Sequence, residues 1–165
     1  MKAEYNDTEI EIEDGYFSDN SNKNAAKVIH SKNIVSFDLY FCTNDIGEES
    51  ILKNGIYHLS AAFCDGKVNI THEFSDNSGR SNKISASTDT FIMEKIQKIA
   101  DKHSIARYNG EHFEIKGLPN GYGGHLHVDY DSGEYISVSN NGELFMPLEA
   151  FADFESLFKE ICTST

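Results

Sequence analysis

The stretch of sequence that decides the fold reads His125-Leu-His-Val-Asp-Tyr-Asp-Ser-Gly-Glu-Tyr-Ile-Ser-Val-Ser139. Apolar and polar residues alternate on both sides of Asp131-Ser-Gly133, which predicts two antiparallel strands joined by a tight turn. A three-residue loop, with Gly133 in the left-handed conformation, fits the alternation. A two-residue turn at Ser132-Gly133 mixes apolar and polar side chains on each face, so we reject it. The apolar face of the preferred hairpin consists of Leu126, Val128, Ile136 and Val138.

A helix is predicted to follow this hairpin. Pro147 suits the first turn of a helix, where its missing N–H costs no hydrogen bond. Beyond it, large apolar residues recur at helical spacing. They are Phe151, Phe154, Phe158 and Ile161, flanked by Leu148 and Leu157. A face this aromatic must be covered, and the apolar face of the hairpin is its nearest partner.

A second hairpin is predicted around Asp65-Gly66, a sequence typical of a type I′ turn. A two-residue turn here places most large apolar side chains of residues 56–64 and 67–74 on one face. The predicted pairs are Tyr57 with Phe74, Leu59 with His72, Ala61 with Ile70 and Phe63 with Val68. This register puts His72 among apolar neighbours.

The remaining elements complete an α+β fold. A half-buried strand begins at Ile34, with Val35, Phe37, Leu39 and Phe41 on its apolar face. Residues 75–87 read as a polar connector, and Thr88 or Asp89 then caps a helix with an Ile92/Ile96/Ile99 stripe. We predict a mainly antiparallel sheet of about five strands, two hairpins plus one extra strand, with two amphipathic helices on one face.

The chain is predicted to form one domain over residues 34–162, after an acidic N-terminal segment over residues 1–33. The composition of that segment favours a mobile tail, or alternatively an acidic segment that docks on a basic partner. The formal net charge of −13 argues against nucleic acid as a ligand. It also argues against an anionic membrane surface, and no apolar run is long enough for a membrane span. A basic protein is the partner that this charge favours.

Three widely spaced cysteines, Cys42, Cys64 and Cys162, form neither a disulfide framework nor a zinc motif. They fit a reducing compartment, so a cytoplasmic location is predicted. The alternative is a secreted or lipid-anchored mature domain whose leader has been removed.

Metal binding is the one chemistry that the pattern of histidines suggests. His125, His127 and Asp129 lie on the same side of one predicted strand, and two histidines with a carboxylate can hold zinc. An exposed strand face that simply carries polar residues is the favoured interpretation, with no cofactor. The other four histidines that we considered, His58, His72, His103 and His112, read as isolated core or surface residues.

No catalytic motif stands out elsewhere. Asp129 to Glu134 lacks the ligand spacing of a calcium loop. The glycine-rich run Gly121-Tyr-Gly-Gly124 precedes no helix that could hold phosphate. No cysteine lies in a recognisable nucleophile context.

The second half of the chain resembles a group of uncharacterised bacterial, Firmicutes-type, small α+β domains, some of them lipoproteins. The likeness spans Ile34 to Phe158 and rests on turn and strand motifs around the final hairpin. These are Tyr108-Asn-Gly110, Tyr130-Asp-Ser-Gly133, Ser137-Val-Ser-Asn-Asn-Gly142 and Phe145-Met-Pro147, preceded by the Asp65-Gly66 hairpin. The chain departs from the pattern in having Asn140-Asn-Gly in place of Gly-x-Asn, and in lacking a Trp after the first helix. The resemblance implies a fold and no activity.

We therefore predict a non-catalytic domain with a protein-binding or structural role, for example an inhibitor or immunity-like protein with an acidic surface. The alternative is a metal-binding domain, or a metal-dependent enzyme, that uses His125, His127 and Asp129. A third class is a ligand-binding domain with a pocket between the sheet and the loop at residues 117–124. Oligomeric state is left open.

Overall fold

One eight-stranded sheet carries two α-helices in the computed structural model, which describes residues 17–44, 50–118 and 123–164. The strands are β1 (Phe17–Asp19), β2 (Ile34–Thr43), β3 (Gly55–Cys64), β4 (Lys67–Asp76), β5 (Ser81–Thr88), β6 (His112–Ile115), β7 (Gly124–Tyr130) and β8 (Tyr135–Asn140). The helices are α1 (Phe91–Lys102) and α2 (Leu148–Ser164), and a 3₁₀ turn spans Ile105–Tyr108. Neither helix in these ranges is long and apolar enough to cross a membrane.

The order of strands across the sheet is β1-β6-β8-β7-β2-β3-β4-β5. Neighbouring strands are antiparallel except β6 and β8, which are parallel. The predicted α+β class with a mainly antiparallel sheet is confirmed. The predicted number of about five strands is wrong, because the described residues form eight.

One of the strands that were not predicted is β5, which overlaps the stretch predicted to be a polar connector and ends at Thr88, a residue predicted to cap the helix. This strand pairs with β4 along its whole length and forms one edge of the sheet. Its inward residues are Ile84 and Ala86, and the rest of it is largely polar and exposed. An edge strand needs little apolar surface once a neighbouring strand supplies the hydrogen bonds, so its sequence signal is weak.

Both predicted hairpin registers are confirmed. Val128 pairs with Ile136 and Leu126 with Val138. Gly133 has φ +83° and donates its N–H to the Tyr130 carbonyl, as a three-residue loop requires.

In the other hairpin, Asp65 (φ +51°) and Gly66 (φ +78°) form the two-residue turn. All four predicted pairs between β3 and β4 are present. His72 is buried, as that register predicted.

The start of β2 departs from simple alternation. The register against β7 shifts between Ile34 and Ser36, which marks a β-bulge at Val35. Ile34 is therefore buried, whereas Val35, predicted to lie on the apolar face, is exposed. From Phe37 onward the alternation holds, with Leu39 and Phe41 fully buried.

The helices cover the apolar face of the sheet. Phe154 and Phe158 of α2 pack on Phe37 of β2, with ring centroids 4.9 and 5.6 Å apart. Ile92 and Ile96 of α1 are buried, so the predicted stripe faces the core. The N-cap of α1 is Thr90, not the predicted Thr88 or Asp89, and its side chain makes no capping hydrogen bond. The Asp89 carboxylate, one residue earlier, accepts a hydrogen bond from the Phe91 N–H.

Part of the predicted N-terminal segment lies against the sheet. β1 pairs antiparallel with β6, and Ile29 is buried among the core residues. Residues 1–16 lie outside the described ranges.

Glu134, in the turn between β7 and β8, holds the chain just before β2. Its carboxylate accepts the backbone N–H groups of His30 and Ser31, at 2.8 and 2.9 Å, and the Ser132 hydroxyl. These hydrogen bonds, the one from His30 first, lower the pKa of Glu134 from the usual 4.5 to about 2. A depressed folded-state pKa stabilises the fold above pH 4.5, and that stability is lost as the pH falls toward 2.

Replacing this glutamate by glutamine tests the contact. Glu134→Gln is expected to lower the melting temperature by a few degrees at neutral pH, because an amide cannot accept both N–H groups on two oxygens. The difference from the unmodified protein should shrink as the pH falls from about 4.5 to about 2. Thermal melts across this range give the measurement, with Glu160→Gln, on the exposed surface of α2, as the control. A constant difference at every pH would contradict the assignment.

Candidate functional site

Polar and aromatic side chains collect on the face of the sheet that the described helices leave uncovered. Alternation along β2, β3, β7 and β8 turns their polar residues to this side. We call this surface the open face, and it is made of Ser36, Asp38, Tyr40, His58, His125, His127, Asp129, Tyr135 and Ser139. Two pairs of strands that lie far apart in the sequence, β2 with β3 and β7 with β8, thus bring their polar groups together.

Asp38 lies at the centre of the open face. His58 Nε2 is 2.6 Å from one of its carboxylate oxygens, and His125 Nε2 is 3.0 Å from the other. β2 lies between β3 and β7, so histidines from both neighbouring strands reach the same carboxylate. One acid therefore fixes the orientation of two imidazole rings.

Tyr40 completes this cluster one step further along β2. Its Cα partners are His58 on β3 and His125 on β7. The Tyr40 ring stacks on His125, with centroids 5.6 Å apart and planes 12° from parallel, and meets the edge of His58. Partial burial raises the pKa of the Tyr40 hydroxyl above its usual value, so this group stays protonated at neutral pH.

The electrostatics keep Asp38 ionised. The hydrogen bond with His125 is the largest influence and, together with the one from His58, lowers the pKa of the Asp38 carboxyl against the opposing effect of burial. Asp38 therefore carries a negative charge throughout the neutral range.

A second, separate pair lies beside this cluster. His127 Nε2 is 3.1 Å from one oxygen of Asp129, and the Ser36 hydroxyl donates to the other oxygen at 2.7 Å. The His127 ring stacks near Tyr135 of β8, with centroids 6.1 Å apart. The open face thus presents two carboxylates, each held by imidazole and flanked by a tyrosine.

The row His125, His127 and Asp129 lies on one side of β7, as predicted from alternation. The structure brings His127 and Asp129 together, whereas His125 turns to Asp38 on the neighbouring strand. Over residues 17–44, 50–118 and 123–164, no three histidine, cysteine or acidic side chains are grouped to hold a metal ion. Zinc binding by this row stays a sequence-based prediction, and elemental analysis of protein purified without a histidine tag checks it.

Asp38, Tyr40 and His58 are the site residues that the sequence interpretation missed. Each sits at a polar position of an alternating strand, which was a usable signal. Their proximity to His125 could not be predicted from the sequence, because β2 and β7 are neighbours in the sheet but lie far apart in the chain.

The other histidines serve different contacts. His72 is buried against Glu155 of α2 at 3.1 Å, and His103 lies 2.7 Å from Asp153. His112, on β6, has its Nδ1 atom 2.8 Å from the Ser139 hydroxyl, so it extends the open face toward the edge of the sheet.

Comparison with known proteins gives no family for this chain. No family model, no curated protein and no solved structure matches it. The resemblance to small bacterial α+β domains therefore stays a prediction.

Proposed function

We propose that this chain is a non-catalytic domain that binds a basic protein through the open face of its sheet, in the manner of an inhibitor or immunity protein. The observation that carries the proposal is the juxtaposition of Asp38 and Asp129, each held by histidine, with Tyr40 and Tyr135 on one uncovered surface.

The side chains of the open face suit a protein interface. Tyrosines bury a large area at low entropic cost and offer a hydroxyl, which is why they are enriched among residues that dominate binding energy. Tyr135 is 47% exposed, so much of its ring is accessible to a partner. Stacking on His127 and His125 holds the two tyrosine rings in fixed positions before binding, which lowers the entropy lost on association.

Charge selects the class of partner. The chain carries a formal charge of −13, which favours and accelerates encounters with a basic surface. On the open face, the lowered pKa of Asp38 keeps that carboxylate negatively charged at neutral pH, and this charge attracts lysine or arginine. Residues 1–16 contain six further acidic residues, which add to the long-range attraction.

The test compares two charge-matched variants as baits in native lysate at low and high salt. We expect wild type to retain a basic protein at low salt and to release it at high salt, because screening weakens the attraction. The double variant Asp38→Asn/Asp129→Asn should lose it, with a Kd at least about tenfold weaker once the partner is purified and titrated. The control variant Glu149→Gln/Glu160→Gln removes the same charge from α2 and should bind as wild type.

Circular dichroism and melting curves first establish that both variants fold. Equal capture by the two variants would show that overall charge, and not the open face, attracts the partner. A partner whose capture is insensitive to salt would also count against the proposal.

A further inference from the structure

A cavity of about 400 Å³ opens at one end of the open face, lined by residues of β2, β6, β7 and β8. A partner side chain can enter this concave part of the open face from solvent. The lining side chains that matter here are Tyr40, His112, Glu114, His125 and Ser139.

The stacked rings of Tyr40 and His125, with centroids 5.6 Å apart, line this cavity. The ring of Phe113 lies on the other face of the sheet, because neighbouring residues of β6 alternate, and there it stacks on Phe17 of β1. Tyr40 and His125, fixed by their mutual stacking, form a surface for a flat cation, which is attracted to the negative face of an aromatic ring.

The described lining of the cavity offers a negative charge to a partner. Glu114 supplies this charge. Within the part of the chain that the structure describes, no hydrogen bond or ion pair engages its carboxylate. No lysine or arginine is found among the described residues that line the cavity. The two histidines are already engaged, His112 with Ser139 and His125 with Asp38.

We infer that this cavity receives an arginine side chain of the basic partner, with the guanidinium against the stacked rings of Tyr40 and His125 and paired with Glu114. The guanidinium group is planar, stacks on aromatic rings and binds a carboxylate through two parallel N–H groups. A lysine ammonium makes the ion pair but not the planar stacking, so arginine fits better. This inference rests on the proposed binding of a basic protein. It adds one specific contact, an arginine of that partner in the cavity at the end of the open face.

The test needs no partner protein, because the probe is N-acetyl-arginine methylamide titrated into the ¹⁵N-labelled full chain at about pH 8, where ordinary histidines are neutral. We expect saturable shifts at the amides of Phe113, Glu114 and His125, with a Kd on the order of 1–10 mM. The corresponding citrulline amide, which has the same shape without the charge, should bind at least about tenfold more weakly.

Variants assign the contact. Glu114→Gln should weaken binding of the arginine probe about tenfold, and Tyr40→Leu about threefold. Glu160→Gln on α2 should leave it unchanged. Melting curves confirm that each variant is folded. Shifts that fail to saturate, or a Glu114→Gln variant that binds like wild type, would overturn the inference.

The result of the arginine-probe titration can be distinguished from the result of the partner-capture experiment that tests the proposed function. If partner capture depends on Asp38 and Asp129 but the probe leaves the cavity resonances unchanged, the cavity assignment is wrong and the open-face proposal stands. If the probe binds at Glu114 but capture is the same for both charge variants, the guanidinium site stands and the proposed function fails.

Discussion

Alanine in place of Phe37 is expected to lower the free energy of unfolding by about 3–5 kcal/mol. Phe37 is 2% exposed and is the residue of β2 on which Phe154 and Phe158 of α2 both pack. Its removal leaves a cavity between sheet and helix that neither backbone can close, so lost burial and lost packing add together. Urea unfolding followed by circular dichroism measures the change, with an unaltered slope showing that the folded state is still compact.

Phe63 offers a matched control for this experiment. It is the same residue type on a neighbouring strand, but it is 52% exposed near the Asp65-Gly66 turn. Phe63→Ala should change the free energy of unfolding by less than about 1 kcal/mol. Equal losses from the two substitutions would contradict the placement of Phe37 beneath α2.

The elements that sequence predicted well are those with local signals. The Asp65-Gly66 turn and the Gly133 turn each fix a hairpin register, because a slip of one residue would turn every apolar side chain outward. The helical stripe from Phe151 to Ile161 is similarly local, since its period is visible within three turns.

The strands that sequence missed depend on partners far along the chain. β1 is three residues long and exists through its pairing with β6, nearly a hundred residues later. β5 is polar and acquires its strand conformation beside β4 at the edge of the sheet. The bulge at Val35 depends on the register between β2 and β7, which alternation within β2 does not contain.

In the candidate site, too, the sequence predicted local features and missed contacts between distant strands. Alternation correctly predicted that His125, His127 and Asp129 share one polar side of a strand. It could not show that His125 bonds to Asp38, because that contact requires β2 beside β7. The three residues of one strand therefore predict a metal site, and the structure adds that His125 bonds to Asp38 of β2 while His127 bonds to Asp129 of its own strand.

Alanine at Gly123 is expected to lower the free energy of unfolding by about 3 kcal/mol, through strain and collision together. Gly123 has φ +81°, and a Cβ atom there would lie 2.1 Å from the Asn141 Cα and 2.3 Å from the Asn140 carbonyl oxygen. The Gly123 carbonyl also accepts the Cys42 N–H at 2.9 Å, so a shift of Gly123 away from Asn141 would break this hydrogen bond to β2.

Gly133→Ala separates the two effects, because Gly133 has nearly the same φ of +83° with nothing within 4 Å of an added Cβ. That control should cost about 1 kcal/mol, the strain alone. Urea unfolding of both variants gives the comparison, and equal costs would mean that β7 does not begin in contact with the end of β8.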